Sequence, residues 1–417
     1  MRILLGACVL LGWLAALPAH GYSVLTHMAN IDSTWRRCLV PNIERRFPGG
    51  IPEELREAKA HAYGGAIIQD MSFYPFGSKL FTNLTHYVRS GDFVRALLDS
   101  ARTRDEYAFA LGALAHYVSD IHGHPEGTNR AMASVYPELA ARYGSAITYE
   151  EAPKQHTQLE FAFDVVQVAA GRYRSDDYHQ AIGFKVSKEV LERAFVATYG
   201  LKLGQAIANV DLSIASYRFS VSQLIPTATR AAWYSQRREI RKLSPKARRR
   251  DYVYRYNERQ YRREFGGAYQ RPGLGARLLS GVVHVMPKIG PLKPFAFTLP
   301  TPAAQQLFRE SFQAVLQQYC AAAEQQQATP PQRLANTDFD TGKPTRAGEY
   351  TLTDETYGEW VRRLAGDNFA AVTPAVQQNV LRFFDNPVQP IGSAEEREAK
   401  TQAKTQEALQ QLRNWKQ

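Results

Sequence analysis

Residues of metal-ligating type recur through the first part of this chain: His27, Asp70, His86, then His116 and Asp120, then His156 and Glu160. His116-Tyr117-Val118-Ser119-Asp120 and His156-Thr157-Gln158-Leu159-Glu160 each place an imidazole and a carboxylate four residues apart. On a helix that spacing puts both on one side, where they can share a cation. The run Ala108 to Ala115 that leads to His116 is apolar, which predicts burial. Buried polar groups are costly unless partnered, and a cation is the natural partner for a His/Asp pair. One such pair is weak evidence, since ordinary i,i+4 pairing produces many. Two pairs together with His27 are less ordinary. His122 and His124 follow directly and compete for one further position; His124 keeps the helical phase of His116 and Asp120. His61, His179 and His284 stand apart and read as surface or satisfied core imidazoles.

Cysteine excludes a thiolate centre. Met1 to Gly21 reads as a signal peptide, with a basic start at Arg2, an apolar run from Ile3 to Leu17 and a small-residue cleavage site at Ala19-His20-Gly21. Cys8 lies inside the apolar run, so lipidation is disfavoured and processing leaves Cys38 and Cys320. Two cysteines cannot build a thiolate zinc site, so the metal is expected on imidazole and carboxylate. Export permits a disulfide between these two, and the sequence leaves its formation open. The apolar run is shorter than the roughly 20 residues of a spanning helix. The expected product is exported, periplasmic or secreted, and starts at Tyr22.

Apolar residues at three and four spacing predict helices over Glu53 to Ile68, Asp92 to Arg102, Glu106 to Ser119, Gln155 to Ala170 and Lys188 to Tyr199. The expected fold is all-α. We divide the chain into a signal peptide (1–21), a catalytic domain (22–225), a basic, Pro-containing and mostly helical extension (226–392), and a charged Gln-rich tail (393–417). Residues 230–271 interleave Arg and Lys with Tyr. Such a run is usually a solvated face; the sharper reading is peripheral contact with an anionic membrane. Ala303 to Gln327 returns to a helical pattern, Thr329 to Thr353 reads as an exposed connection, and a further helix pair follows. The tail carries no convincing apolar stripe, which predicts a frayed end. The formal charge of +11 favours phosphate esters, anionic lipid surfaces or nucleic acid without choosing among them.

The order of the ligand-type residues resembles the zinc-dependent phospholipase C family of bacteria, which shares its helical fold with the S1/P1-type nucleases. In that superfamily the mature N-terminal residue gives its amino nitrogen and carbonyl oxygen to zinc. Tyr22 followed by His27 is similar to that pattern, although the usual first residue is Trp. Backbone atoms do the ligation, so the substitution leaves the role intact. Asp70, His86, His116 and Asp120 resemble the next ligands, with Asp120 bridging two metals. His156 and Glu160 resemble the closing pair, in which phospholipases commonly carry Glu and the nucleases Asp. The intervening histidine stands closer to the bridging Asp than in the family, and His124 is taken over His122. The resemblance covers residues 22 to about 200 and leaves the chain beyond Pro226 unexplained.

By that resemblance up to three Zn2+ ions are expected: one on Asp70, His86, His116 and Asp120, one on Tyr22, His27 and Asp120, and one on His124, His156 and Glu160. Asp70 is the expected catalytic residue, orienting or deprotonating the attacking water. The function this implies is phospholipid head-group hydrolysis. A single-strand nuclease of the S1/P1 type and a non-enzymatic, metal-stabilised binding protein are the alternatives.

Overall fold

The computed structural model describes residues 23–74, 76–170, 185–219, 238–242, 297–388 and 396–416. Among the described residues every regular element is helical, and the β pairing is confined to one isolated bridge between Thr337 and Pro344. The fold is all-α. Its centre is the helix Arg104–Gly123, here α6, preceded by α1 (Val24–Thr34), α2 (Val40–Arg46), α3 (Pro52–Ile68), α4 (Lys79–Tyr87) and α5 (Ser90–Ser100). Thr103 starts α6 by accepting the Glu106 N–H on its hydroxyl, with Asp105 and Glu106 in the first turn where the helix dipole favours them. From Tyr107 to Asp120 every residue of α6 is buried. A helix buried all round over such a run has no solvent face there, so other elements must enclose it on every side.

The tightest enclosure is by α3. A Cβ on Gly65 would lie 1.9 Å from the Phe109 carbonyl oxygen, and one on Gly112 would lie 2.0 Å from the Ala62 carbonyl oxygen. Only glycine at both positions allows the two backbones to approach so closely. On the other sides α6 meets α5 and α13 (Pro302–Gln325). Pro302 at the first helical position and the Thr301 hydroxyl, which accepts the Ala304 N–H, fix the start of α13. Tyr319 then donates its hydroxyl to the Leu111 carbonyl of α6 at 3.0 Å. A disulfide joins Cys320 of α13 to Cys38, in the π-helical turn Trp35–Leu39 that follows α1, with the Cα atoms 5.5 Å apart.

After α6 come the π-helical turn His124–Thr128 and then α7 (Asn129–Val135), α8 (Pro137–Tyr143), α9 (Pro153–Ala169), α10 (Lys188–Tyr199), α11 (Leu203–Ala206) and α12 (Val210–Phe219). The expected helix pair beyond α13 is α14 (Thr351–Gly366) and α15 (Pro374–Asp385), and α16 spans Glu396–Asn414. Two expectations are corrected here. The tail is helical because Ala408, Leu409 and Leu412 form a short apolar edge that is buried, and α16 packs against α14. The stretch 329–353 is helical only from Thr351, where α14 begins, yet it is not an exposed connection: Thr337, Asp338, Phe339 and Asp340 are all buried. Local polarity suggested solvent, whereas the carboxylates are taken inward by hydrogen bonds. No described helix is long and apolar enough to cross a membrane. Within 230–271 only residues 238–242 are described, with Ile240 buried and its neighbours exposed.

Candidate metal centre

His27 projects from α1, His86 from the last turn of α4, His116 and Asp120 from α6, and His156 and Glu160 from α9, while Asp70 follows the end of α3. His124 opens the π-helical turn that begins where Pro125 cannot supply an N–H to continue α6. All eight side chains are buried. His122, by contrast, is only partly buried and faces Glu126. The structure therefore brings His124, not His122, to this cluster.

Two ligands of one tetrahedral zinc at bond lengths near 2.1 Å stand roughly 3.4 Å apart. The separations here have that size: His86 Nε2 to Asp70 Oδ1 3.3 Å, His116 Nε2 to Asp120 Oδ2 3.1 Å, His86 Nε2 to Asp120 Oδ2 3.7 Å and His116 Nε2 to Asp70 Oδ1 3.8 Å. They trace four edges of a tetrahedron over Asp70, His86, His116 and Asp120. The other oxygen of Asp120 looks elsewhere, standing 3.6 Å from His27 Nε2 and 4.0 Å from His124 Nε2. Glu160 Oε1 lies 2.9 Å from His156 Nδ1 and 3.9 Å from His124 Nε2. Asp120 thus sits between two groups of donors, one oxygen toward each.

The buried atoms that face one another lack well-directed hydrogen bonds: Asp70 Oδ1, His116 Nε2, both Asp120 oxygens, His124 Nε2, His156 Nδ1 and both Glu160 oxygens. Buried polar atoms are otherwise nearly always satisfied, so this concentration is what a cation binding site needs. The opposite nitrogens are engaged. His116 Nδ1 donates to the Ala66 carbonyl and His86 Nδ1 to the Thr82 carbonyl, each at 2.9 Å, which leaves each Nε2 lone pair for a metal. The donor set fits zinc, with imidazole and carboxylate and no thiolate.

Burial and mutual charge pull these groups apart electrostatically. Burial drives the Glu160 carboxyl well above its ordinary range, reinforced by Asp120 and Asp70. Burial likewise holds the His156 imidazole down to about 3. At His116 burial lowers basicity, but Asp120 and Asp70 outweigh it and hold the ring at about 9. Burial raises Asp120 too, and the imidazoles of His116, His124 and His27 overcome it, keeping the carboxyl well below the usual carboxylate range. Carboxylates crowded in a dry site are stabilised most directly by a divalent cation.

Residues 26–208 match the family described as zinc dependent phospholipase C. Over this stretch, under half of its length, the chain is similar to the zinc-dependent phospholipases C. The similarity supports a hydrolase, and zinc is the metal on which that family depends. No curated protein and no solved structure matches the chain.

The matched stretch gathers His27, Asp70, His86, His116, Asp120, His124, His156 and Glu160 in one place. Tyr22 and the signal-peptide reading lie outside the described residues, as do His179 and His284. His61 stands apart from this centre, its Nδ1 2.8 Å from the Ser187 hydroxyl and its Nε2 facing Glu57 and Asp105. Lys185 already pairs with Glu57 there.

Sequence reasoning missed three participants. Asp164, on α9, accepts the Leu25 N–H at 3.0 Å and the Thr26 hydroxyl at 2.7 Å, and so anchors the start of α1 one turn before His27. Asn129 and Asp340 contact His156 and His124 through hydrogen bonds. Asp340 comes from beyond the matched domain, in a loop where Phe339 lies against the His86 ring with centroids 4.8 Å apart. The one hint in the sequence was a phenylalanine set between two aspartates in an otherwise polar stretch.

Proposed function

We propose that this chain is an exported phospholipase C that hydrolyses the head-group phosphodiester of a phospholipid, using up to three zinc ions. The observation that carries the reading is the placement of Asp120 in a zinc-dependent phospholipase domain, with Oδ2 3.1 Å from His116 Nε2 and Oδ1 3.6 Å from His27 Nε2. A carboxylate with one oxygen toward each of two ligand groups suits two neighbouring ions. Bound zinc would supply Lewis-acid polarisation of the phosphoryl oxygens and a water ionised near neutral pH.

The protein's own residues do the positioning. Asp70, His86, His116 and Asp120 form one ligand group, and His124, His156 and Glu160 another. His27 and Asp120 form the third together with the α-amino group of Tyr22, released by cleavage after Gly21. Asp70 orients the attacking water and accepts its proton. No serine or cysteine nucleophile is needed. The Cys38–Cys320 disulfide supports export into an oxidising compartment.

The test is hydrolysis of phosphatidylcholine vesicles against single-stranded DNA and RNA, before and after chelation and zinc restoration. Diacylglycerol and a phosphorylated head group should appear with zinc and vanish with chelator. Hydrolysis of nucleic acid in preference to lipid would overturn the phospholipase reading, and no phosphodiester hydrolysis by zinc-loaded protein would overturn the catalytic one.

A further inference from the structure

We infer that Asp340 is a positioning residue for the metal centre, supplied from outside the phospholipase domain, which sets the nitrogens that His124 and His156 turn toward a metal. The inference rests on the zinc reading above. A neutral imidazole carries one N–H, and the hydrogen bond made by that N–H decides which lone pair is left for ligation. Asp340 Oδ1 stands 3.1 Å from His124 Nδ1. Donation from Nδ1 leaves Nε2 as the ligand atom, and Nε2 is the nitrogen that faces Glu160 Oε1 at 3.9 Å and Asp120 Oδ1 at 4.0 Å.

His156 has the opposite arrangement. Its Nε2 donates to Asn129 Oδ1 at 2.8 Å, which leaves Nδ1 toward Glu160 Oε1 at 2.9 Å. Asn129 can present its oxygen to His156 because its amide nitrogen is committed to the Asp340 carbonyl at 2.7 Å. One residue therefore orients both rings, His124 through its carboxylate and His156 through its backbone carbonyl by way of Asn129.

Asp340 is itself held on several sides. Its Oδ2 accepts the Tyr149 N–H at 2.8 Å and the Tyr350 hydroxyl at 2.5 Å. Asp338 Oδ1 accepts the N–H groups of Asp340 at 2.8 Å and Thr341 at 3.2 Å, which shapes the loop. Gly342 completes the turn at φ +69°, and a Cβ there would lie 2.6 Å from the Ile121 carbonyl at the end of α6. Ligand-type atoms of Asp340, His124 and His156 also fall within 4.8 Å of one another, which raises the alternative that Asp340 binds a metal directly. On that edge, however, the nearer nitrogens are donors to Asp340 and Asn129. Asp340 acts through the imidazoles.

The decisive measurement is zinc affinity and stoichiometry of the full chain, by chelator competition and metal analysis, in wild type, Asp340→Ala and Asp340→Asn. Loss of an outer partner of this kind typically weakens a metal by about 10 to 100-fold. Asp340→Ala should show a weakening of that order at one ion, with the others retained. Asp340→Asn keeps an acceptor for His124 and should recover part of the loss. If the alanine variant does not fold by circular dichroism, the near-isosteric asparagine variant decides. In a His156→Ala background the same substitutions should add little, because that ion is already lost. Wild-type zinc affinity in folded Asp340→Ala and Asp340→Asn would overturn the inference alone, as would equal weakening of every ion. A wild-type protein that binds no zinc would overturn the zinc reading together with it.

Discussion

Thr26 and Asp164, far apart in sequence, meet inside the protein, where the threonine hydroxyl donates to the aspartate Oδ1 at 2.7 Å. The same carboxylate accepts the Leu25 N–H, so α9 anchors the first turn of α1 and with it the approach to His27. Burial raises the Asp164 carboxyl to about 6, although the hydrogen bonds from Ser23, Thr26 and Leu25 pull it down. Its pKa is thus higher in the folded than in the unfolded chain, and the folded state binds the extra proton between about pH 4 and pH 6. Its contribution to stability therefore falls as pH rises through that window and is constant above it. A displacement of that size is worth ~3 kcal/mol across the window. Denaturant titrations at pH 4 and pH 7 should show this slope in wild type and its absence in Asp164→Asn. Identical pH dependence in the two proteins would refute the assignment.

The approach of α3 to α6 makes a second prediction. A methyl group on Gly65 or Gly112 would meet a backbone carbonyl at 1.9 or 2.0 Å, and backbone cannot swing aside as a side chain can. The helices would have to separate, lengthening the 2.9 Å bond from His116 Nδ1 to Ala66. Gly65→Ala and Gly112→Ala should each cost ~1 to 3 kcal/mol in urea unfolding, the usual range for overpacking. They should also weaken zinc binding. Wild-type midpoints in both would show that the interface yields freely.

Such relationships mark where local pattern stops being informative. His116 with Asp120 and His156 with Glu160 were legible because one helix carries both members of each pair, and four-residue spacing is a property of sequence. The apolar run ahead of His116 likewise announced a buried helix. Asp340 was not legible: it reaches His124 across 216 positions, and its loop has the polarity of a surface turn. Asp164 was hidden for a related reason. Four residues beyond Glu160 it reads as a continuation of the same polar face, and only the arrival of α1 gives it a separate task. The α16 tail failed as an expectation because three apolar residues sufficed once α14 was beside them.

Cys38 and Cys320 close a covalent loop with a sequence separation of 282. Their bond ties α13 to the turn directly after α1, the helix that bears His27. A native disulfide of this kind commonly contributes ~2 to 4 kcal/mol, chiefly by restricting the unfolded chain. Cys38→Ser with Cys320→Ser should therefore lower stability by that order, and wild type should lose the same amount on reduction. Thermal unfolding with and without reductant measures both. No change on reduction, with thiol labelling proving that the bond had opened, would remove the disulfide from the account of stability.

The two oxygens of Asp120 distinguish it from every other ligand-type residue in the cluster. Oδ2 stands with His116 and His86, and Oδ1 with His27 and His124. A residue that serves two ions should cost more when removed than a residue that serves one. Asp120→Ala is expected to lower zinc content further than His156→Ala does, since the latter touches only the group with Glu160. The loss of activity should follow. If the missing interactions are worth even ~3 kcal/mol to the transition state, the rate falls by about 10²-fold. Metal analysis and vesicle hydrolysis on the same preparations read both quantities. Equal zinc contents in the two variants would mean that Asp120 does not bridge, and the site would have to be rebuilt around separate ions.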